Sequence, residues 1–207
     1  MTFAKSLFAA AALAALSLPA LADAKTEAFV QQNANEVLDA LNNPELDRQE
    51  RTDLFSEYME EFADLNAVSR FVIGKYASRF TQEELQRFQR AFRTYALAVY
   101  ENELDAYRGN EVIVEGSTDR TANDSIVDTT IPRQDGQAMS VRWRVLRRNG
   151  GYQVVDVALD TEGNLIWLAI EQQAQFLSLL DRTNGSASAL IGKIESMTRQ
   201  VESSRRG

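Results

Sequence analysis

AMSVRWRVLRRNGGYQVVDVAL, residues 138–159, alternates apolar and polar side chains with a period of two. Met139, Val141, Trp143 and Val145 fall on one side and Arg142 and Arg144 on the other, the pattern of a strand with one dry and one wet face. Asn149-Gly150 interrupts the alternation with a dipeptide that tolerates the positive φ of a two-residue hairpin turn. The segments on either side of it therefore read as antiparallel neighbours in one sheet.

Upstream, EVIVEG (111–116) and SIVDTTIP (125–132) carry the same period and supply two further strands, with the polar stretch GSTDRTANDS (116–125) as their connection. On both sides of this block the period becomes helical. FQRAFRTYALAVYENELDAY (88–107) lies in the most strongly patterned helix: Thr81 and Glu84 form a Thr-x-x-Glu capping box ahead of it, and Gly109 stands just past Arg108 as a stop. At 1.5 Å per residue this helix runs about 40 Å. It bears two apolar stripes: Leu85, Phe88, Phe92, Tyr95 and Val99, and beside them Ala96, Tyr100, Leu104 and Tyr107.

Before it, Val30, Ala34, Val37, Leu38 and Leu41 mark a first helix stopped by Asn42-Asn43-Pro44, and Leu54, Phe55, Tyr58, Met59 and Phe62 mark a second. NAVSRFVIGKY (66–76) is a short third piece that turns near Gly74. After the sheet, helical spacing resumes in LAIEQQAQFLSLL (168–180), and Leu190, Ile194, Met197 and Val201 mark a last amphipathic helix. Helices, then strands, then helices predict an α+β fold, a four-stranded antiparallel curved sheet with helices packed on one face.

The first residues, MTFAKSLFAAAALAALSLPALADAK, join a basic start to an apolar run from Leu7 to Leu18 and small residues at Ala20 and Ala22. They read as a secretory signal peptide, 1–22, whose apolar run is shorter than the roughly 20 residues that span a bilayer. One domain is expected over 23–203, with a helical part at 23–109 and 165–203 and a sheet part at 110–160, followed by a disordered tail at 204–207. The formal net charge of −8 makes nucleic acid a poor partner. There is no Cys and no His, which removes disulfides, thiolate nucleophiles, the usual general base and the commonest metal ligands. Carboxylate chemistry remains open.

Three features invite a functional reading. The wide apolar arc of the 88–107 helix facing a one-sided sheet is explained either by a closed core or by a cavity lined by the second stripe, and pattern alone leaves both open. Arg142, Arg144, Arg147 and Arg148, with Arg133 nearby, form either a solvated sheet face or a contact for phosphate headgroups or an acidic partner. Asp156, set among Val154, Val155 and Val157, is the candidate for a carboxylate of raised pKa in an enzyme acting on a small apolar substrate. Strict alternation instead turns it away from Val155 and Val157, toward those arginines, in a structural ion pair.

Beyond periodicity, RFVIGKY (70–76), the helix start at Thr81-Gln82-Glu83, Phe88 and Phe92 followed by Tyr100, and the Tyr107-x-Gly109 exit into a Val-rich strand resemble the MlaC, or toluene-tolerance, family of periplasmic phospholipid-binding proteins. VRWRVLRRNGGYQVVDVAL (141–159) resembles its strand, turn and Asp-Val strand, and QAQFLSLLDRTNGSASALIGKI (173–194) its closing helices. The chain departs from the family at Tyr152, where Trp is common, and in LDTEGNLIWLAIEQQAQF (159–176), which keeps Glu162 and Gly163 only.

The resemblance implies a nuclear-transport-factor-2-like (cystatin-like) sheet enclosed by helices, with a deep apolar pocket for lipid acyl chains. It implies a monomeric periplasmic carrier, not an enzyme and without a cofactor, that shuttles phospholipid between an outer-membrane lipoprotein complex and the MCE-domain subunit of an inner-membrane transporter. Hopanoid-associated relatives leave a different lipid class open. Pattern and resemblance together give an expected pocket with Phe71, Ile73, Phe92, Ala96, Val99, Tyr100 and Leu104 on the helical wall. Val141, Trp143, Val145, Val155 and Val157 form the expected sheet wall.

Overall fold

The computed structural model describes residues 24–106, 111–132, 138–148, 150–161 and 163–204, and of residues 48, 100–106 and 161 the backbone only. Four helices come first: α1 (Ala24–Asn42), α2 (Arg48–Phe62), α3 (Leu65–Ile73) and, after a short 3-10 turn at Gly74–Ser78, α4 (Gln82–Ala106). A sheet of β1 (Ile113–Thr121), β2 (Asp124–Pro132), β3 (Ala138–Arg148), β4 (Gly151–Thr161) and β5 (Asn164–Trp167) follows, and α5 (Leu168–Arg182) and α6 (Ala187–Ser204) close the chain. The strands form an antiparallel meander in sequence order.

β3 and β4 are the expected antiparallel neighbours, with Arg148 opposite Gly151 beside the turn, where Gly150 takes φ 82°; beyond Val145 the register shifts by one, which sets Trp143 opposite Val157 and Val141 opposite Leu159. Asn149, Gly109, Tyr107, Arg133 and residues 1–22, expected as a signal peptide, all lie outside the described residues. At α4 the capping box is in place: Glu84 N–H donates to Thr81 Oγ1 at 3.2 Å, and Thr81 N–H donates to Glu84 Oε2 at 2.9 Å. The Thr81 N–H and, at 2.9 Å, the Thr81 hydroxyl both donate to Glu84 Oε2 and hold the pKa of that carboxyl below its ordinary value. Asp47 and Glu50 form a second box at the start of α2.

Two expectations need correction. The sheet has five strands, because Asn164–Trp167 turns back on β4 to form a four-residue edge strand with Ala158 opposite Trp167. The stretch 116–125 is mostly strand, since β1 and β2 run on to a tight turn at 122–123.

The interior is divided into two apolar clusters. The sheet-side cluster joins α1 and α2 to the inner sheet face through Val30, Leu38, Phe55, Phe62, Val127, Val141 and Val145. The helix-side cluster joins α3 to α6 through Val72, Ile73, Phe88, Phe92, Phe176, Leu190 and Ile194. Among the described residues no helix is long and apolar enough to cross a membrane.

Candidate functional site

The two clusters are each threaded by aromatic rings. On the sheet side Tyr152, Phe29, Phe62 and Trp143 stand in series, with centroids 5.7, 5.5 and 5.3 Å apart. On the helix side Phe80, Phe88 and Phe92 follow one another at 6.2 and 5.9 Å, and Phe176 crosses Phe92 edge-on at 6.3 Å. Phe62 and Trp143 at the end of one series and Phe92 in the other face a common cavity at the seam between the clusters.

The cavity holds about 30 Å³ of free volume and is lined by Met59, Phe62 and Ala63 at the end of α2, Leu65 and Val68 on α3, Phe92 and Ala96 on α4, Trp143 on β3, Val154 to Val157 on β4, and Ala169 on α5. Every lining side chain but one is apolar or aromatic; the exception is Asp156. Trp143 is held in place because its indole N–H donates to Thr129 Oγ1 at 2.8 Å, while that hydroxyl donates to Val141 O at 3.1 Å.

β4 is irregular beside Asp156. Arg144 pairs with Asp156 and Val145 with Val154, so Val155 is the extra residue of a β-bulge. Asp156 is buried, and its Oδ1 accepts hydrogen bonds from Val157 N–H at 2.8 Å and Ala169 N–H at 2.9 Å. The residue preceding α5, Trp167, makes no side-chain cap, so Asp156 supplies one from the neighbouring strand. Burial pushes its carboxyl above the ordinary carboxylate range, against the pull of the two N–H groups and of the Arg144 guanidinium. The expected ion pair with the arginines is therefore not its direct contact: Arg144 bonds Asp124, at 2.9 Å.

Of the residues expected to line a pocket, the structure brings Phe92, Ala96, Trp143, Val155 and Val157 to this cavity. Ile73 lies buried in the helix-side cluster, and Val141 and Val145 lie buried in the sheet-side cluster. Phe71 is 41% exposed on α3. Val99 is half-buried on α4, and the side chains of Tyr100 and Leu104 lie outside the described residues. Met59 and Phe62 belonged to a visible helical stripe, whereas Ala63, Leu65, Val68 and Ala169 enter the lining through the junctions α2–α3 and β5–α5, which periodicity does not register.

The arginine face of β3 is matched by carboxylates. Arg142 pairs with Asp128, Arg144 with Asp124 and Arg148 with Asp64, and Arg147 bonds the Asn123 side chain at 3.3 Å. Two other grooves, of about 400 Å³ over the outer sheet face beside Asp128 and Arg142 and about 440 Å³ between α4 and α6 beside Arg90 and Arg199, are polar and open. Among the described residues no group of three or more acidic side chains is arranged to hold a metal ion.

Comparison with known proteins agrees with this architecture. The MlaC protein family profile matches residues 31–196. A search of curated protein sequences finds no match. Among solved structures, a phospholipid-binding protein from Ralstonia solanacearum, determined in complex with a phospholipid, superposes with a TM-score of 0.70 at 21% identity, covering 85% of this chain and 98% of its own. The matched span runs from α1 into α6 and contains every residue that lines the seam; the chain belongs to the MlaC family.

Proposed function

We propose that this protein is a periplasmic phospholipid carrier that takes acyl chains into the seam between its two apolar clusters. In this reading it shuttles lipid between an outer-membrane lipoprotein complex and the MCE-domain subunit of an inner-membrane transporter, and so serves outer-membrane lipid asymmetry. The observation that carries the reading is an apolar cavity set between two separately packed clusters, so that a ligand can part them without breaking either. Membership of the MlaC family and the phospholipid held by the Ralstonia solanacearum protein support it.

The seam as it stands is closed. Its free volume is about 30 Å³, against roughly 300 to 1,000 Å³ for ligand pockets, so loading requires the sheet side to move away from α3, α4 and α5. Burying about 30 methylenes at roughly 0.8 kcal/mol each removes on the order of 24 kcal/mol of aqueous exposure. A bilayer offers the same gain, so exchange with membranes is near balance while release into water is slow. A carrier with these energetics transfers lipid only when docked, and it needs no catalytic step. Asp156 is read as a structural cap, because its Oδ1 is already engaged by two backbone N–H groups.

Native mass spectrometry of protein purified without detergent from the periplasm, with denaturing lipid analysis of the same sample, tests the proposal. A stoichiometric phospholipid adduct is expected. A bare mass with no extractable lipid, persisting after incubation with phospholipid vesicles, would refute it.

A further inference from the structure

Gln172 carries an amide nitrogen that is fully buried and has no hydrogen-bond partner, the only such side-chain atom among the described residues. Buried donors are almost always satisfied, and one left bare is a standing cost to the fold unless a ligand supplies the acceptor. Its place on α5 points to where that acceptor lies. Gln172 follows Ala169 by three residues and precedes Phe176 by four, so all three share one helical face. Ala169 lines the seam cavity, and Phe176 packs edge-on against Phe92, which lines it too. Gln172 does not line the closed cavity, but helical side chains lean toward the N-terminus of their helix, which carries its amide toward Ala169, a residue that does. The next residue, Gln173, serves a different purpose, donating to Phe71 O at 2.6 Å across the α3–α5 contact.

We propose that Gln172 Nε2 is a positioning donor for an ester carbonyl of the bound acyl lipid, engaged when the seam opens. This deepens the carrier reading and rests on it. Charge selects the kind of acceptor. The Asp156 carboxylate lines the cavity and is bonded to Ala169, one turn from Gln172, so a phosphate brought there would meet a like charge. An uncharged carbonyl meets no such repulsion. In a glycerophospholipid the ester carbonyls sit where the apolar chains join the polar headgroup, so this contact fixes how deep the chains enter. It also makes the protein a reader of linkage chemistry: an ether-linked lipid with the same chains and headgroup presents no carbonyl and leaves the amide bare.

The test is competition binding of diester phosphatidylglycerol and its diether analogue, matched in chains and headgroup, to the full mature chain and to Gln172→Leu and Gln172→Met. The wild type is expected to favour the diester by about tenfold, equivalent to about 1.4 kcal/mol. Both variants are expected to bind the two lipids alike, and in lipid-free form to melt no lower than the wild type, since an unsatisfied polar group has been removed. Equal binding of the two lipids by the wild type, or discrimination that survives in the variants, overturns the assignment while leaving the carrier reading intact. A lowered melting temperature of both lipid-free variants overturns it as well, because the amide would then already have a partner within the protein. Failure of both lipids to bind the wild type is a distinct result, and it takes the carrier reading down with the inference.

Discussion

Asp156 on β4 and Ala169 in the first turn of α5 are joined across the seam wall by a 2.9 Å hydrogen bond, in which the strand carboxylate accepts the helix N–H. The same oxygen accepts the Val157 N–H, so one side chain ties the first turn of α5 to β4 next to the bulge. Asp156→Ala leaves two buried N–H groups without an acceptor, at about 1–3 kcal/mol for each. Urea denaturation is expected to show a loss of that order, and an unchanged midpoint would mean that the cap is dispensable.

The raised pKa of Asp156 adds a pH dependence of defined sign. The folded protein binds this proton more tightly than the unfolded chain, so the group's contribution is fully present below the ordinary carboxylate pKa and is lost as pH rises through the raised folded value. Asp156→Asn keeps an oxygen acceptor and cannot titrate. Its stability relative to the wild type should therefore improve from acid toward neutral pH. A difference that stays flat, or runs the other way, would contradict the desolvation that raises this pKa.

Gly185, between α5 and α6, takes φ 77°, and a Cβ built there would stand 2.9 Å from Tyr76 Cε1. Tyr76 has little room to yield, since it is buried and its hydroxyl donates to Asp181 at 2.7 Å. Gly185→Ala is expected to cost about 1–2 kcal/mol for the left-handed backbone alone, and more for the contact. Denaturant midpoints compared with Gly192→Ala, at an open helical position, check this.

Ala96 on α4 lines the seam opposite the sheet. Ala96→Leu places a branched side chain where a lipid chain would enter, and overpacking of a closed site costs about 1–3 kcal/mol. The variant should fold and carry markedly less co-purified lipid per protein than the wild type. Undiminished lipid content would place the chains elsewhere.

The sequence was most legible where local chemistry and tertiary packing agree. The Thr81–Glu84 box and the antiparallel pairing of β3 with β4 follow from short-range rules, and both stand as expected. β5 escaped notice because it is four residues long and exposes Leu165 and Ile166, so no dry face marks it. The full length of the β1–β2 hairpin was hidden by Ser117, Thr118, Asp119 and Arg120, polar residues that an edge strand tolerates and that read as a loop. The Val155 bulge was invisible for a different reason. A bulge is a property of the pairing between two strands, and here it sets Val154 opposite Val145 and Val157 opposite Trp143 with two residues between them. Likewise the division of the interior into two clusters depends on which helices the sheet faces, and no single helical stripe contains that information.

The most direct test of the central claim uses Trp143, whose ring lines the seam, as a reporter. Trp167→Phe leaves it as the sole tryptophan of the two in the sequence. This variant would be loaded with phosphatidylglycerol brominated along its acyl chains, with unbrominated lipid as the control. Strong quenching of Trp143 emission by the brominated lipid alone is predicted, because the chains then lie against the indole. Stoichiometric binding of the brominated lipid with Trp143 emission unchanged would contradict the account, since the lipid would be held somewhere other than the seam.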